Sequence, residues 1–128
     1  MNCLENIALP LRLGGLRRGP AESRAREWLQ RLQVDDVADR RPGEISGGQG
    51  QRVAIGRALV TEPRVIFADE PTGALDSHNG ERVMELLTES ARSSGAAVVL
   101  VTHEARVAAS DREVTVRDGL VRDTSVLV

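Results

Sequence analysis

Apolar residues recur at helical spacing in the first half of the chain and form short continuous runs in the second half. From Pro20 to Leu32, alanine, tryptophan and leucine side chains fall on one face and arginines fill the other, which predicts an amphipathic helix. Cys3 to Leu13 is also apolar but contains a proline, so we predict a short helix followed by an extended piece. The first half is therefore expected to be helical.

Two runs in the second half are almost wholly apolar and short: Arg64 to Ala68 and Ala96 to Val101. Such runs predict strands of a sheet that is covered on both faces. Between them, Asn79 to Arg92 carries apolar residues at helical spacing, and Gly95 follows as a helix stop. The alternation of strand and helix predicts an α/β layered sheet.

Smaller elements are predicted near the C-terminus. A brief helix at about Glu104 to Ala109 is followed by a strand at Glu113 to Arg117. The pair Asp118-Gly119 is typical of a type I′ hairpin turn, which leads into Leu120 to Arg122. We therefore expect a mostly parallel sheet flanked by helices, with a C-terminal β-hairpin.

Composition limits the classes of protein that the chain can represent. The 128 residues suffice for one modest domain, and the net charge of −2 gives no basic excess for binding nucleic acid. Cys3 is the single cysteine, so an internal disulfide is excluded. The longest apolar run is too short to span a bilayer, and the N-terminus lacks a signal-peptide pattern. We expect a soluble protein that reaches a membrane only through a partner.

The first candidate site is the segment Ser46-Gly47-Gly48-Gln49. Ser46 and Gln49 stand three apart, as in a capping box that begins a helix, and that helix is predicted to run to about Thr61. A helix N-terminus presents unpaired amides to an anion, and two glycines allow close approach of the backbone. A glycine-rich turn capped by Ser46, without any ligand, explains the same residues.

The second candidate site consists of polar residues that follow the two apolar strands. Asp69 and Glu70 come directly after the first strand, where one carboxylate can hold Mg²⁺ and the other can orient or deprotonate a water. His103 follows the second strand and could donate to a phosphate oxygen. The alternatives are an acidic turn before Pro71 and a structural histidine. His78 is interpreted as a surface residue.

In combination, these motifs resemble those of the ATP-binding cassette (ABC) transporter ATPases. Ile45 to Gln49 looks like the family signature, and Arg64 to Pro71 is similar to its Walker B segment. Leu75-Asp76 corresponds to the D-loop and His103 to the switch histidine. Leu4 to Leu11, together with the segment that begins at Ala68, looks most like the lipoprotein-release and macrolide-export branch.

The resemblance implies a role for each matching residue. Asp69 would assist Mg²⁺, through a bound water; Glu70 would act on the hydrolytic water; His103 would contact the γ-phosphate. Family members form head-to-tail dimers, with Asp76 at the interface. The residues that would bind ATP held by the opposing subunit are Ser46, Gly47, Gly48 and Gln49.

It further implies an ATPase subunit that couples ATP hydrolysis to a membrane-spanning permease, in the direction of export. The expected partners are that permease and a second ABC ATPase subunit, with no nucleic acid. The protein would be cytoplasmic and peripheral on the inner face of the plasma membrane. Residues up to about 62 would form the helical, signature-bearing part, and residues from about 63 onward the α/β part.

One departure from the family pattern is severe. The 128 residues contain no lysine, so no phosphate-binding loop of the form G-x-x-x-x-G-K-[ST] is present. Family domains place that loop before the segment resembling Leu4 to Leu11. We expect the C-terminal part of a P-loop NTPase domain, truncated at the N-terminus and inactive in isolation. Three interpretations stay open: the C-terminal portion of an exporter ATPase, a catalytically silent module that pairs with an intact ATPase, and a non-functional remnant.

Overall fold

A computed structural model describes residues 1–71, 73, 75, 77–101, 114–117 and 119–123. Two short 3-10 turns, Asp35–Val37 and Pro42–Glu44, lie between the second and third helices. The predicted helix at about Glu104 to Ala109 lies outside the described residues. The regular elements in chain order are α1 (Cys3–Leu13), α2 (Arg18–Arg31), α3 (Gly47–Leu59), β1 (Val65–Asp69), α4 (Ser77–Ser94), β2 (Ala97–Val101), β3 (Val114–Arg117) and β4 (Leu120–Asp123).

The first three helices pack into a helical unit. α1 contacts both α2 and α3, and the side chains of Ile7, Leu29 and Leu59 are fully buried among them. The amides of Cys3 and Leu4 also donate to carbonyl oxygens of the segment after α2, at 2.8 Å and 3.0 Å. The amphipathic helix predicted between Pro20 and Leu32 is confirmed, with its alanine, tryptophan and leucine face buried.

α1 does not break at Pro10, so the predicted extended piece is wrong. Proline lacks an N–H and therefore costs the helix one backbone hydrogen bond. The carbonyl of Pro10 still accepts from the Gly14 amide at 3.1 Å. The buried residues of α1 lie N-terminal to Pro10, and they hold the helix against its neighbours. Tertiary packing therefore outweighs the local preference of the proline.

The two apolar runs form strands as predicted, and the structure shows that they pair with each other. β1 and β2 are parallel, with Val65 opposite Ala97 and Asp69 opposite Val101. β3 and β4 pair in antiparallel fashion, and Gly119 between them has a φ of +78°, so the predicted hairpin is confirmed. α4 connects the parallel strands and ends before Gly95, which has a φ of +75°. The predicted α/β class is thereby confirmed.

Only one face of the β1–β2 sheet is covered in the described part of the chain, which contradicts the expectation of two covered faces. Ile66 packs into the core with Val83 and Leu86 of α4. The alternate side chains of both strands point to the opposite face, because successive side chains in a strand alternate. We call this surface the open face; its apolar residues are Val65, Phe67, Ala97, Val99 and Val101, with Phe67 78% exposed.

Candidate functional site

The N-terminus of α3 is fixed by a reciprocal capping box. The Gln49 amide donates to Ser46 Oγ at 3.2 Å, and the Ser46 amide donates to Gln49 Oε1 at 3.0 Å. Ser46 has the extended backbone that an N-cap residue adopts, with φ −68° and ψ 163°. The predicted capping box is therefore present, and it holds the Ser46 side chain at the start of the helix.

This cap leaves two amides at the helix start for an external acceptor. The Gly50 amide donates to the Ser46 carbonyl at 2.9 Å, and the amides of Ser46 and Gln49 are used by the box. No acceptor among the described residues takes the amides of Gly47 and Gly48. Both belong to the first turn, whose amides carry the positive end of the helix dipole. The helix start can therefore accept a phosphate group.

Two residues lie against this turn: Leu75, which belongs to the predicted D-loop segment, and Asn79, which sequence reasoning missed. A Cβ added to Gly47 would meet Cδ2 of Leu75 at 3.2 Å, and one added to Gly48 would meet Oδ1 of Asn79 at 3.7 Å. Leu75 immediately precedes Asp76, and Asn79 lies in the first turn of α4. We call Ser46 to Gln49 the Ser46 turn; it is thus placed beside the segment that leads into α4. The sequence gives no signal for this contact, because it joins positions that are about thirty residues apart.

Asp69 and Glu70 lie at the carboxyl end of β1, as predicted. Asp69 is exposed and its side chain belongs to the same face as Phe67. The Glu70 amide donates to the Val101 carbonyl at 2.8 Å, which extends the pairing of the two strands by one residue. Glu70 also has a φ of +45°, a left-handed conformation that is uncommon outside glycine and concentrates at functional sites.

The donor set at this strand end suits one kind of metal. Asp69 offers an exposed carboxylate, the hard oxygen ligand that Mg²⁺ prefers, and Mg²⁺ usually keeps several waters and uses only one or two protein carboxylates. Within the described ranges, no group of three or more His, Cys, Asp or Glu side chains could hold a metal ion. Asp69 therefore fits Mg²⁺ that takes its other ligands from water and substrate.

Two predicted site residues remain, Asp76 and His103, together with His78, which was predicted to lie on the surface. Asp76 and His103 lie outside the described residues, although their neighbours Leu75 and Val101 are described. His78 is exposed on α4, so its interpretation as a surface residue is confirmed. No hydrogen bond or ion pair within the described residues joins the Ser46 turn to Asp69.

None of the helices in the described part of the chain is both long and apolar enough to cross a membrane. This finding matches the sequence, in which every apolar run is short.

Comparison with known proteins identifies the family. A family model described as ABC transporter matches residues 1–73. The chain is 45% identical over 126 residues to the macrolide export ATP-binding/permease protein MacB of Chromobacterium violaceum, covering 97% of this chain and 19% of that protein. It is 47% identical over 119 residues to the lipoprotein-releasing system ATP-binding protein LolD of Syntrophotalea carbinolica, covering 92% of this chain and 52% of that protein.

Solved structures give the same result. The dimeric structure of MJ0796, a bacterial ABC transporter cassette, superposes with a TM-score of 0.79 at 40% identity, covering 96% of this chain and 56% of the cassette. A second structure of that cassette, in a post-hydrolysis state bound to ADP and Pi, gives 0.79 at 39% identity. The chain thus spans about half the length of the LolD protein and of the solved cassette. Because the family model covers more than half of its residues and the fold agrees, the chain belongs to the ABC transporter family, and it matches a little over half of a solved ATP-binding cassette.

Proposed function

We propose that the chain is part of the ATP-hydrolysing subunit of an ABC transporter, with the Ser46 turn binding the γ-phosphate of ATP that the opposing subunit holds. The observation that carries this proposal is the capped start of α3, where the amides of Gly47 and Gly48 meet no acceptor among the described residues. Phosphate binds well at such a helix start, because amides and dipole act together. The Ser46 hydroxyl lies at the same point and adds a third polar group.

Asp69 and Glu70 have separate roles in this proposal. Asp69 holds Mg²⁺ through a bound water, and its exposure at the strand end leaves room for that water. Glu70 orients or deprotonates the attacking water, and its left-handed backbone turns its side chain away from the direction that the strand would impose. When bound, Mg²⁺ neutralises the charge that develops on the phosphates. His103 donates to the γ-phosphate, and Asp76 lies at the subunit interface.

The assembly that we propose is a head-to-tail dimer of ATPase subunits on a membrane-spanning permease. The dimeric MJ0796 cassette supports the pairing, and the names of MacB and LolD support a place in an export or lipoprotein-releasing system. The subunit would lie on the cytoplasmic side of the plasma membrane, attached through the permease.

A chimera tests the proposal. The region of the Syntrophotalea carbinolica LolD protein that matches this chain is replaced by the 128 residues, and Mg²⁺-dependent ATP hydrolysis is measured. We expect hydrolysis well above background. Glu70→Gln, which keeps the shape of the side chain and removes its basicity, should lower the rate about 100-fold or more.

The matched control is Glu81→Gln, the same chemical change on an exposed glutamate of α4. It should leave the rate unchanged. A chimera that folds but hydrolyses ATP no faster than the buffer would refute the proposal. So would a Glu70→Gln chimera as active as the Glu81→Gln chimera, because the carboxylate would then have no role in the reaction.

The second candidate function is a catalytically silent module that offers the Ser46 turn to ATP on an intact ATPase. The observation that favours it is the complete, capped start of α3, which can meet a phosphate held by another subunit. Adding the chain to full-length LolD protein separates the two candidates. A change in ATPase rate that Ser46→Ala abolishes supports the silent module; an unchanged rate and no complex on a sizing column remove it.

A further inference from the structure

The connection between α1 and α2 carries positive charge that no nearby carboxylate in the sequence balances. Residues 6–21 contain no aspartate or glutamate, whereas Arg12, Arg17 and Arg18 all fall within them. Arg18 is paired with Glu22 at 2.9 Å, but neither Arg12 nor Arg17 forms an ion pair within the described residues. Arginine stays charged at physiological pH, and the whole chain has a net charge of −2, so this positive charge is local. We call residues 12–18 the basic corner.

An exposed leucine lies between the two unpaired arginines. Leu13 is 79% exposed, whereas Leu11 and Leu16 on either side of it pack against the core. The backbone of this turn is fixed, because the Gly15 amide donates to the Arg12 carbonyl and the Leu16 amide to the Leu11 carbonyl, both at 3.0 Å. Gly15 has a φ of +99°, which glycine adopts without strain. The turn therefore holds an apolar side chain outward beside two cations.

This combination fits the surface of an anionic phospholipid bilayer. Phosphate groups are strong acceptors for guanidinium groups, and an apolar side chain can enter the boundary between headgroups and acyl chains. Nucleic acid fits less well, because the chain has a net negative charge and Trp28 is buried and so offers no stacking surface. An acidic polypeptide would match the arginines but would leave Leu13 in water.

We propose that the basic corner binds anionic phospholipid headgroups, with Arg12 and Arg17 contacting phosphates and Leu13 entering the interface. The contact is weak by itself, because a few basic residues and one leucine give only reversible binding. It goes beyond the proposed attachment through a permease, since the chain would contact the bilayer directly and in one orientation. Its test needs neither permease nor nucleotide, so it can fail where the proposed ATP hydrolysis succeeds, and the reverse.

The test is sedimentation of the full 128-residue chain with vesicles that contain phosphatidylglycerol and phosphatidylcholine, or phosphatidylcholine alone. We expect binding to the anionic vesicles only, and weaker binding as salt is added. Arg12→Gln and Arg17→Gln should each weaken binding about fivefold, since each arginine near an anionic surface contributes roughly that factor. Leu13→Gln should weaken it about tenfold, because burying a leucine contributes about one decade of affinity.

Two matched controls make the same chemical changes elsewhere. Arg92→Gln removes an exposed arginine from the last turn of α4, and Leu120→Gln replaces a leucine that is 75% exposed on β4. Both should bind like the parent chain, and circular dichroism of every variant should match that of the parent.

Three results would overturn the proposal. The first is a folded chain that does not sediment with the anionic vesicles, or that sediments equally with the neutral ones. The second is equal weakening by Arg92→Gln and Arg17→Gln, because net charge and not the basic corner would then control binding. The third is binding that Leu13→Gln leaves unchanged, which would indicate a purely ionic surface suited to an acidic polypeptide.

Discussion

Two glycines of α3 should respond in opposite directions to the same substitution. Gly50 and Gly56 both lie inside the helix, where glycine is about 1 kcal/mol less favourable than alanine. A Cβ at Gly50 would find its nearest neighbour, Ile45 Cδ1, at 4.0 Å, which is ordinary contact. Gly50→Ala should therefore raise the free energy of unfolding by about 1 kcal/mol.

At Gly56 the space is already occupied. A Cβ there would lie 2.9 Å from Ile7 Cδ1 and 3.1 Å from Leu32 Cδ1. Both neighbours are fully buried, so neither can move without displacing other side chains. Overpacking of this kind costs about 1–3 kcal/mol, which cancels or exceeds the gain in helix propensity. Gly56→Ala should therefore be less stable than Gly50→Ala by about 1–3 kcal/mol.

Urea unfolding of the two variants measures this difference, with helical circular dichroism as the signal. A double-mutant cycle identifies the cause, because Ile7→Val removes the methyl group nearest to the added Cβ. Ile7→Val should cost less in the Gly56→Ala background than in the parent chain, where such a change costs about 0.5–1.5 kcal/mol. The reasoning is refuted if Gly56→Ala proves at least as stable as Gly50→Ala.

Three further predictions can be checked by unfolding measurements of the same kind. Ser46→Ala removes the side chain that caps α3 and should lower the free energy of unfolding by about 1 kcal/mol, whereas Ser46→Asn should preserve most of it. Leu29→Ala empties a fully buried position and should cost about 2–5 kcal/mol, whereas Leu13→Ala, at a position 79% exposed, should change stability by less than about 0.5 kcal/mol. Burial, and secondarily the charge of Glu44, raises the pKa of the Cys3 thiol, so the folded chain keeps this proton to higher pH than the unfolded chain. The contribution of this group to the free energy of unfolding is complete below the unfolded pKa of about 8.5 and falls as the pH rises toward the folded pKa. The free energy of unfolding should therefore decrease less steeply between about pH 8 and pH 10 in Cys3→Ala than in the parent chain.

Local signals in the sequence determined most of the elements and the composition of the candidate site. The Ser46–Gln49 box, the helical spacing of the face that includes Trp28 and Leu29, and Gly95 at a left-handed position each act within a few residues. Each of these signals produces its structure through the backbone amides, the side-chain periodicity or the steric freedom of its own segment. Asp69-Glu70 could be placed at a strand end for the same reason.

Contacts between distant segments decided the rest, and no local pattern carries them. Pro10 remains helical because α1 is held by α2 and α3, although proline locally favours a break. The apolar runs predicted two covered sheet faces, because apolar side chains favour burial. Hydrophobicity does not tell which element buries them. Only the packing of α4 shows which face is covered and that the face of Phe67 is exposed. The contacts of Gly47 with Leu75 and of Gly48 with Asn79 are also decided by the tertiary structure. The chain must fold back before the start of α3 can contact the segment that leads into α4.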